Sequence, residues 1–202
     1  QAFQASKQAH TEFQQSVHQV IGNKDTPNTI RYLKYQIEKL EHIAPEELVI
    51  LETERIKKSK CLFNKLSEHI RLLHELYAPV QKFIDSHPPK DKAFKVEFTA
   101  SLEAIDFVNG IFSHVANNKR GSFYGAEQAS ALVADIMKDK DFNNWDSVSC
   151  FLEKIHQALH YDLRPNEGEQ LRQVSEQIKS GSSVSELYDF IYHLGYINTG
   201  TI

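Results

Sequence analysis

The sequence predicts a mainly α protein, with an antiparallel coiled-coil arm over residues 1–87 and a helical lobe with one short β-strand over residues 88–202. Three observations carry this. After Pro45 the chain runs to Tyr77 with no further glycine or proline, and Leu48, Leu51, Leu62, Leu66, Ile70, Leu73 and Tyr77 recur mostly three or four residues apart. That spacing makes one apolar stripe, the sequence mark of a helix that packs along a partner. Upstream, two shorter stretches carry stripes of the same period. Downstream, Ser86-His87-Pro88-Pro89-Lys90-Asp91 reads as a linker, and the pattern changes beyond it.

In chain order, Phe3, His10, Phe13, Val17 and Val20 place a helix over residues 2–21, and Gly22 is placed to end it. Thr26-Pro27 is the expected start of a second helix, with a capping residue and a proline in the first turn. Ile30, Leu33, Ile37, Leu40 and Ala44 give that helix its stripe. Pro45 with Glu46 and Glu47 then reads as the start of the long helix, since proline and negative charge both suit a first turn. Pro79 is expected to bend or restart it, because an interior proline removes a hydrogen bond and crowds the preceding turn. In residues 94–102, Phe94, Val96, Phe98, Ala100 and Leu102 alternate with Lys95, Glu97, Thr99 and Ser101, which predicts a strand with one buried face. No second strand is legible, so its pairing partner is expected outside the chain. Helices follow over residues 105–115, 126–137, 145–160, 169–178 and 184–194. Ser183 and Glu186 form a capping box for the last.

Composition excludes some functions. The chain is 41% hydrophobic and 25% charged, with a formal net charge of −4. Residues 1–89 hold 12 Lys and Arg against 11 Asp and Glu, whereas residues 90–202 hold 11 against 16. Global steering to nucleic acid is therefore not expected, only a local patch. Cys61 and Cys150 stand alone, without metal-ligand spacing or a disulfide framework, which suits a reducing cytoplasm. No transmembrane run or signal peptide is visible, so no membrane partner is expected. The chain opens directly in helical periodicity and reads as a piece of a longer protein.

No self-contained catalytic motif is present, and no catalytic residue is assigned. His156 and His160 are four apart on one helix, the geometry of a two-histidine metal pair, with Asp162 the nearest third ligand. The zinc-protease pattern requires Glu after the first His, and Gln157 stands there, so the bland reading is a pair of packing histidines and no metal. Lys57, Lys58 and Lys60 form a basic patch that would contact DNA phosphates, or else a solvated helix face paired with Glu52 and Glu54. Lys119 and Arg120 beside Gly121 make a second candidate for anion contact, though without the glycine spacing of a phosphate loop.

Leu76-Tyr77-Ala78-Pro79-Val80-Gln81-Lys82-Phe83-Ile84, Gly121-Ser122-Phe123-Tyr124-Gly125 and Leu187-Tyr188-Asp189-Phe190-Ile191-Tyr192 resemble segments of the SMC-like ATPases of prokaryotes. These are coiled-coil members of the ABC superfamily, some with a PHP-type phosphoesterase domain and some linked to antiviral defence. The resemblance implies that residues 1–84 are the end of an arm and residues 94–197 the lobe before the signature motif. It further implies ATP and Mg in the parent protein, a homodimer through its heads, and work on double-stranded DNA. The chain itself lacks a Gly-x-x-x-x-Gly-Lys-Ser/Thr loop, a signature and an apolar strand ending in acids, so the ATP chemistry would lie elsewhere. The expected roles are mechanical: arm-seam positions Leu62, Leu66, Ile70, Leu73 and Tyr77, with Pro79 as hinge. The alternative is a stand-alone helical protein-protein interaction module, an adaptor that uses its stripes as binding surfaces.

Overall fold

A computed structural model describes residues 2–87, 99–164 and 170–201. The fold is mainly α with a few short strands, as the periodicity predicts. The chain divides into two compact units, Gln1–Glu54 and Arg55–Ile202. This division falls inside a helix, and the expected linker at residues 86–91 lies within the second unit, with residues 88–91 outside the described part.

The first unit contains α1 (Ala2–Ile21), α2 (Ile30–Glu38), a π-helical turn (Lys39–Ile43) and the start of α3 (Ala44–Ser86). Gly22 ends α1 at φ +55°, the left-handed conformation that favours glycine there. Thr26-Pro27 belongs to the turn and does not open α2. The cap is Thr29, whose hydroxyl donates to the Thr26 carbonyl at 2.8 Å and whose side chain accepts from the Tyr32 amide. The second and third predicted helices are one uninterrupted helical run from Ile30 to Ser86. Pro45 stands in the first turn of α3 with Glu46 and Glu47, as expected, but the helical run is already under way behind it. The proline follows the π-helical turn, and a π-turn is one of the few places where a helix absorbs an irregularity without ending. Likewise α3 passes through Pro79 to Ser86 without restarting.

In the second unit the core is built around α6 (Trp145–His160), whose Val148, Phe151, Leu152, Ile155, Ala158 and Leu159 are fully buried. Asn144 caps this helix by accepting from the Asp146 and Ser147 amides. Around it pack α4 (Phe107–His114), α5 (Ala126–Met137), the single turn α7 (Val174–Gln177) and α8 (Val184–Tyr192). Phe107 is the aromatic hub, with ring centroids 4.9 Å from Phe151, 4.6 Å from Tyr196 and 5.5 Å from Phe190. Gly110 lets α4 approach α8 closely: a Cβ there would lie 2.2 Å from Phe190 Cζ. Ser183 and Glu186 form the predicted capping box of α8.

The strand expectation needs two corrections. Residues 94–98 lie outside the described part, and the strand that is described is β1 (Ala100–Ala104), paired antiparallel with β4 (Ile197–Thr201). The partner is thus inside the chain. Its Ile-Asn-Thr-Gly-Thr sequence hid it, since only one residue of five is strongly apolar. The helix expected over residues 169–178 is also shorter than predicted. Gln170–Leu171 forms β3 against β2 (Tyr161–Asp162), and only one helical turn follows.

Candidate functional site

The site with the most unusual chemistry lies where α3, from Arg55 onward, meets α6 and α8. On α3, Ser59 and Phe63 are buried, and Ile56, Leu66 and Ile70 pack against the core. Residues 56, 59, 63, 66 and 70 fall three or four apart, so one helix face meets the lobe. Ser59 donates its hydroxyl to the Tyr192 carbonyl at 2.7 Å, which satisfies one of the last carbonyls of α8. Phe63 packs on Trp145 with centroids 5.6 Å apart. Further along, His74 bonds the Ala100 carbonyl at 3.0 Å and ties α3 to β1. Ser59→Ala is expected to cost about 1–2 kcal/mol, because the Tyr192 carbonyl loses a buried donor. Chemical denaturation of wild type and variant measures this directly.

One helical turn before Ser59, the Arg55 guanidinium lies 4.2 Å from the Tyr192 ring centroid and 4.7 Å from that of Tyr188. A guanidinium over two aromatic faces is a cation–π arrangement worth ~1–2 kcal/mol when partly desolvated. The two tyrosines are four apart on α8 and face the two histidines four apart on α6. Tyr188 Oη lies 2.9 Å from His160 Nε2, and Tyr192 Oη lies 3.3 Å from His156 Nδ1. The imidazoles themselves sit with centroids 4.3 Å apart. Each histidine thus has a ring nitrogen engaged with a phenol. Among the described residues no group of three or more His, Cys, Asp or Glu side chains could hold a metal ion. Asp162, the expected third ligand, is committed elsewhere.

Asp162 is fully buried and holds the β2–β3 hairpin. Arg164 binds it through both carboxylate oxygens, at 2.8 Å and 2.7 Å, and Arg172 adds a contact at 3.3 Å. The Arg164 side chain beside it holds the Asp162 carboxyl below the usual carboxylate range, and Arg172 acts in the same sense. Alongside, the buried Ser122 donates to the Tyr161 carbonyl at 2.6 Å and accepts from the Leu163 amide at 2.9 Å. Through Ser122, the Gly121-Ser122-Phe123-Tyr124-Gly125 segment therefore acts here as a structural clasp. Lys119 donates to the Ile178 carbonyl at 2.8 Å and Arg120 is exposed, so one cation of the second basic patch is tied into the turn.

The remaining predicted positions are distributed along α3. Leu62, Leu66, Ile70, Leu73 and Tyr77 are half-buried, whereas Pro79, Lys57 and Lys58 are exposed. Lys60 is exposed as well, with its ammonium 5.8 Å from the Trp145 ring centroid. The spacing singled out neither Ser59 nor Phe63, placed Arg55 only at the head of the basic patch, and gave Tyr188 and Tyr192 no role at the site. The signal was present as three sets of residues four apart, 55/59, 156/160 and 188/192, yet nothing in a sequence says that those faces meet. Among the described residues no helix is long and apolar enough to cross a membrane. Comparison with family models, with curated proteins and with solved structures finds no match.

Proposed function

We propose that the protein is the arm-and-lobe segment of an SMC-like ATPase, coupling ATP-driven closure of the heads to a helical arm in DNA-associated work such as antiviral defence or repair. The observation that supports this reading is the uninterrupted helical run from Ile30 to Ser86, fixed in the lobe by Ser59, Phe63 and the cation–π contacts of Arg55. Within the Arg55–Ile202 unit, one face of this helix packs on the lobe through Ile56, Ser59, Phe63, Leu66 and Ile70. A helix gripped by a packed core moves with it, because packed interfaces switch between discrete arrangements and do not deform continuously. ATP, Mg and the double-stranded DNA would be handled by the parent protein, and the residues here would act mechanically. In the full-length parent, Leu66→Asp with Ile70→Asp is expected to abolish the stimulation of ATP hydrolysis by DNA and to lower the melting temperature. Unchanged melting and an unchanged ATPase rate would remove this role.

A second reading, a stand-alone adaptor, is favoured by a different observation: Leu33, Ile37, Leu40 and Leu48 in the first unit are all exposed. An adaptor would bind its partner in the absence of nucleotide, which separates the two readings.

A further inference from the structure

The described residues of the first unit bury little. Among its described residues Thr29 is the one buried side chain, while Leu33, Ile37 and Leu40 are 51%, 53% and 69% exposed. Leu48, Val49, Ile50 and Leu51 follow one another and are all exposed. Successive helical residues point about 100° apart, so these four ring most of the helix with apolar surface. At very roughly 100 Å² for each half-exposed large side chain, the unit presents on the order of 1,000 Å² of apolar surface. That exceeds the ~300–600 Å² patch of a typical monomer. The part of this surface that one partner helix can cover is the stripe of Leu33, Ile37, Leu40, Leu48 and Leu51, which recur three, four or eight residues apart on one face.

The charge pattern identifies what covers it. Between Ile30 and Glu54 the cations are Arg31, Lys34 and Lys39, all in the first ten residues, where Glu38 is the one acid. The acids Glu41, Glu46, Glu47, Glu52 and Glu54 occupy the rest. Two copies laid in the same direction would set acid against acid. Laid antiparallel, the basic third of each faces the acidic end of the other, and flanking charges of this kind set orientation in helix pairs. A two-fold axis makes such an interface self-complementary.

We propose that residues 30–54 are a homodimer interface, in which a second copy of this chain lies antiparallel along the helix about a two-fold axis near Lys39–Ile43. The apolar side chains pack between the copies. Arg31, Lys34 and Lys39 of each copy oppose the Glu46–Glu54 stretch of the other. This interface involves neither ATP nor the lobe, so a monomer would remove it while the ATPase reading is decided separately by hydrolysis in the parent.

The test uses the whole chain with Cys61→Ser and Cys150→Ser. Sedimentation and light scattering should give twice the chain mass of 23.2 kDa. Leu33→Asp with Ile37→Asp should give a monomer whose Trp145 signal, reporting the folded lobe, is unchanged. Arg31→Glu with Lys34→Glu should weaken self-association at least about tenfold, and so should Glu47→Lys with Glu52→Lys. A mixture of those two charge variants should associate as a heterodimer. For direction, His42→Cys should cross-link to itself on mild oxidation. Arg31→Cys should not do so, but should cross-link to Glu54→Cys in a mixture. A monomer at about 100 μM would overturn the proposal and leave the surface to a different protein partner. So would a dimer indifferent to Leu33→Asp with Ile37→Asp, charge variants that fail to recover on mixing, or Arg31→Cys chains that cross-link to one another.

Discussion

Phe107→Ala is expected to destabilise the Arg55–Ile202 unit by about 4 kcal/mol, near the upper end for a single core truncation. The ring is 1% exposed and meets Phe151, Tyr196 and Phe190 within 5.5 Å, so its removal leaves a cavity walled by three other rings. Those rings belong to α6, the approach to β4, and α8, and none can collapse inward without leaving its own neighbours. For a unit of this size the loss corresponds to a fall in melting temperature of roughly 10 °C. Calorimetry of wild type and Phe107→Ala checks it. A fall of only a degree or two would mean that the aromatic hub is not the keystone of the core.

The second large effect concerns Asp162. Asp162→Asn is expected to cost about 3 kcal/mol at neutral pH, because Arg164 and Arg172 keep their charges beside a neutral buried amide. The pH dependence follows from the depressed carboxyl. A group with a lower pKa in the folded state than in the unfolded state stabilises the fold fully above the unfolded value, near 4, and that contribution is lost as pH falls through the folded value. The stability gap between wild type and Asp162→Asn should therefore be constant from neutral pH down to about pH 5 and narrow below about pH 4. Urea denaturation at pH 7, 5 and 3 measures it. A gap that stays constant down to pH 3 would show that the carboxylate charge does not matter.

Much of the second unit was legible because its signals are local. The stripe of α6, the boundaries of α5 and the capping box at Ser183 follow from periodicity and capping chemistry within one helix. What escaped prediction depends on residues far apart in sequence. β4 is visible only as the partner of β1, since Ile197 and Tyr196 supply its burial and the following Asn-Thr-Gly-Thr carries no alternation. The hairpin of β2 and β3 is held by Asp162 with two arginines, and its short strands carry no pattern to read. Pro45 was legible as a first-turn proline of α3, yet it marks no break in the helical run. A proline suits a first turn, but here a π-helical turn precedes it and the helix continues.

The candidate site was half legible. His156 and His160 are a visible pair, but their tyrosine partners on α8 and the arginine over those tyrosines are not predictable from spacing. A face of α3 that overlaps the expected coiled-coil seam contributes Phe63 to the lobe core, with the half-buried Leu66 and Ile70 packed against that core. The stripe was expected to be an arm seam, and a sequence does not say whether a second arm helix or a lobe lies against it.

The most direct measurement is ATP hydrolysis by the proposed parent ATPase, with and without double-stranded DNA, beside that of the 202-residue chain alone. The account predicts hydrolysis by the parent, raised by DNA, and none by the chain, which carries no nucleotide-binding loop. No hydrolysis in the parent would contradict it and leave the adaptor reading, to be pursued by asking whether residues 1–54 capture a partner protein.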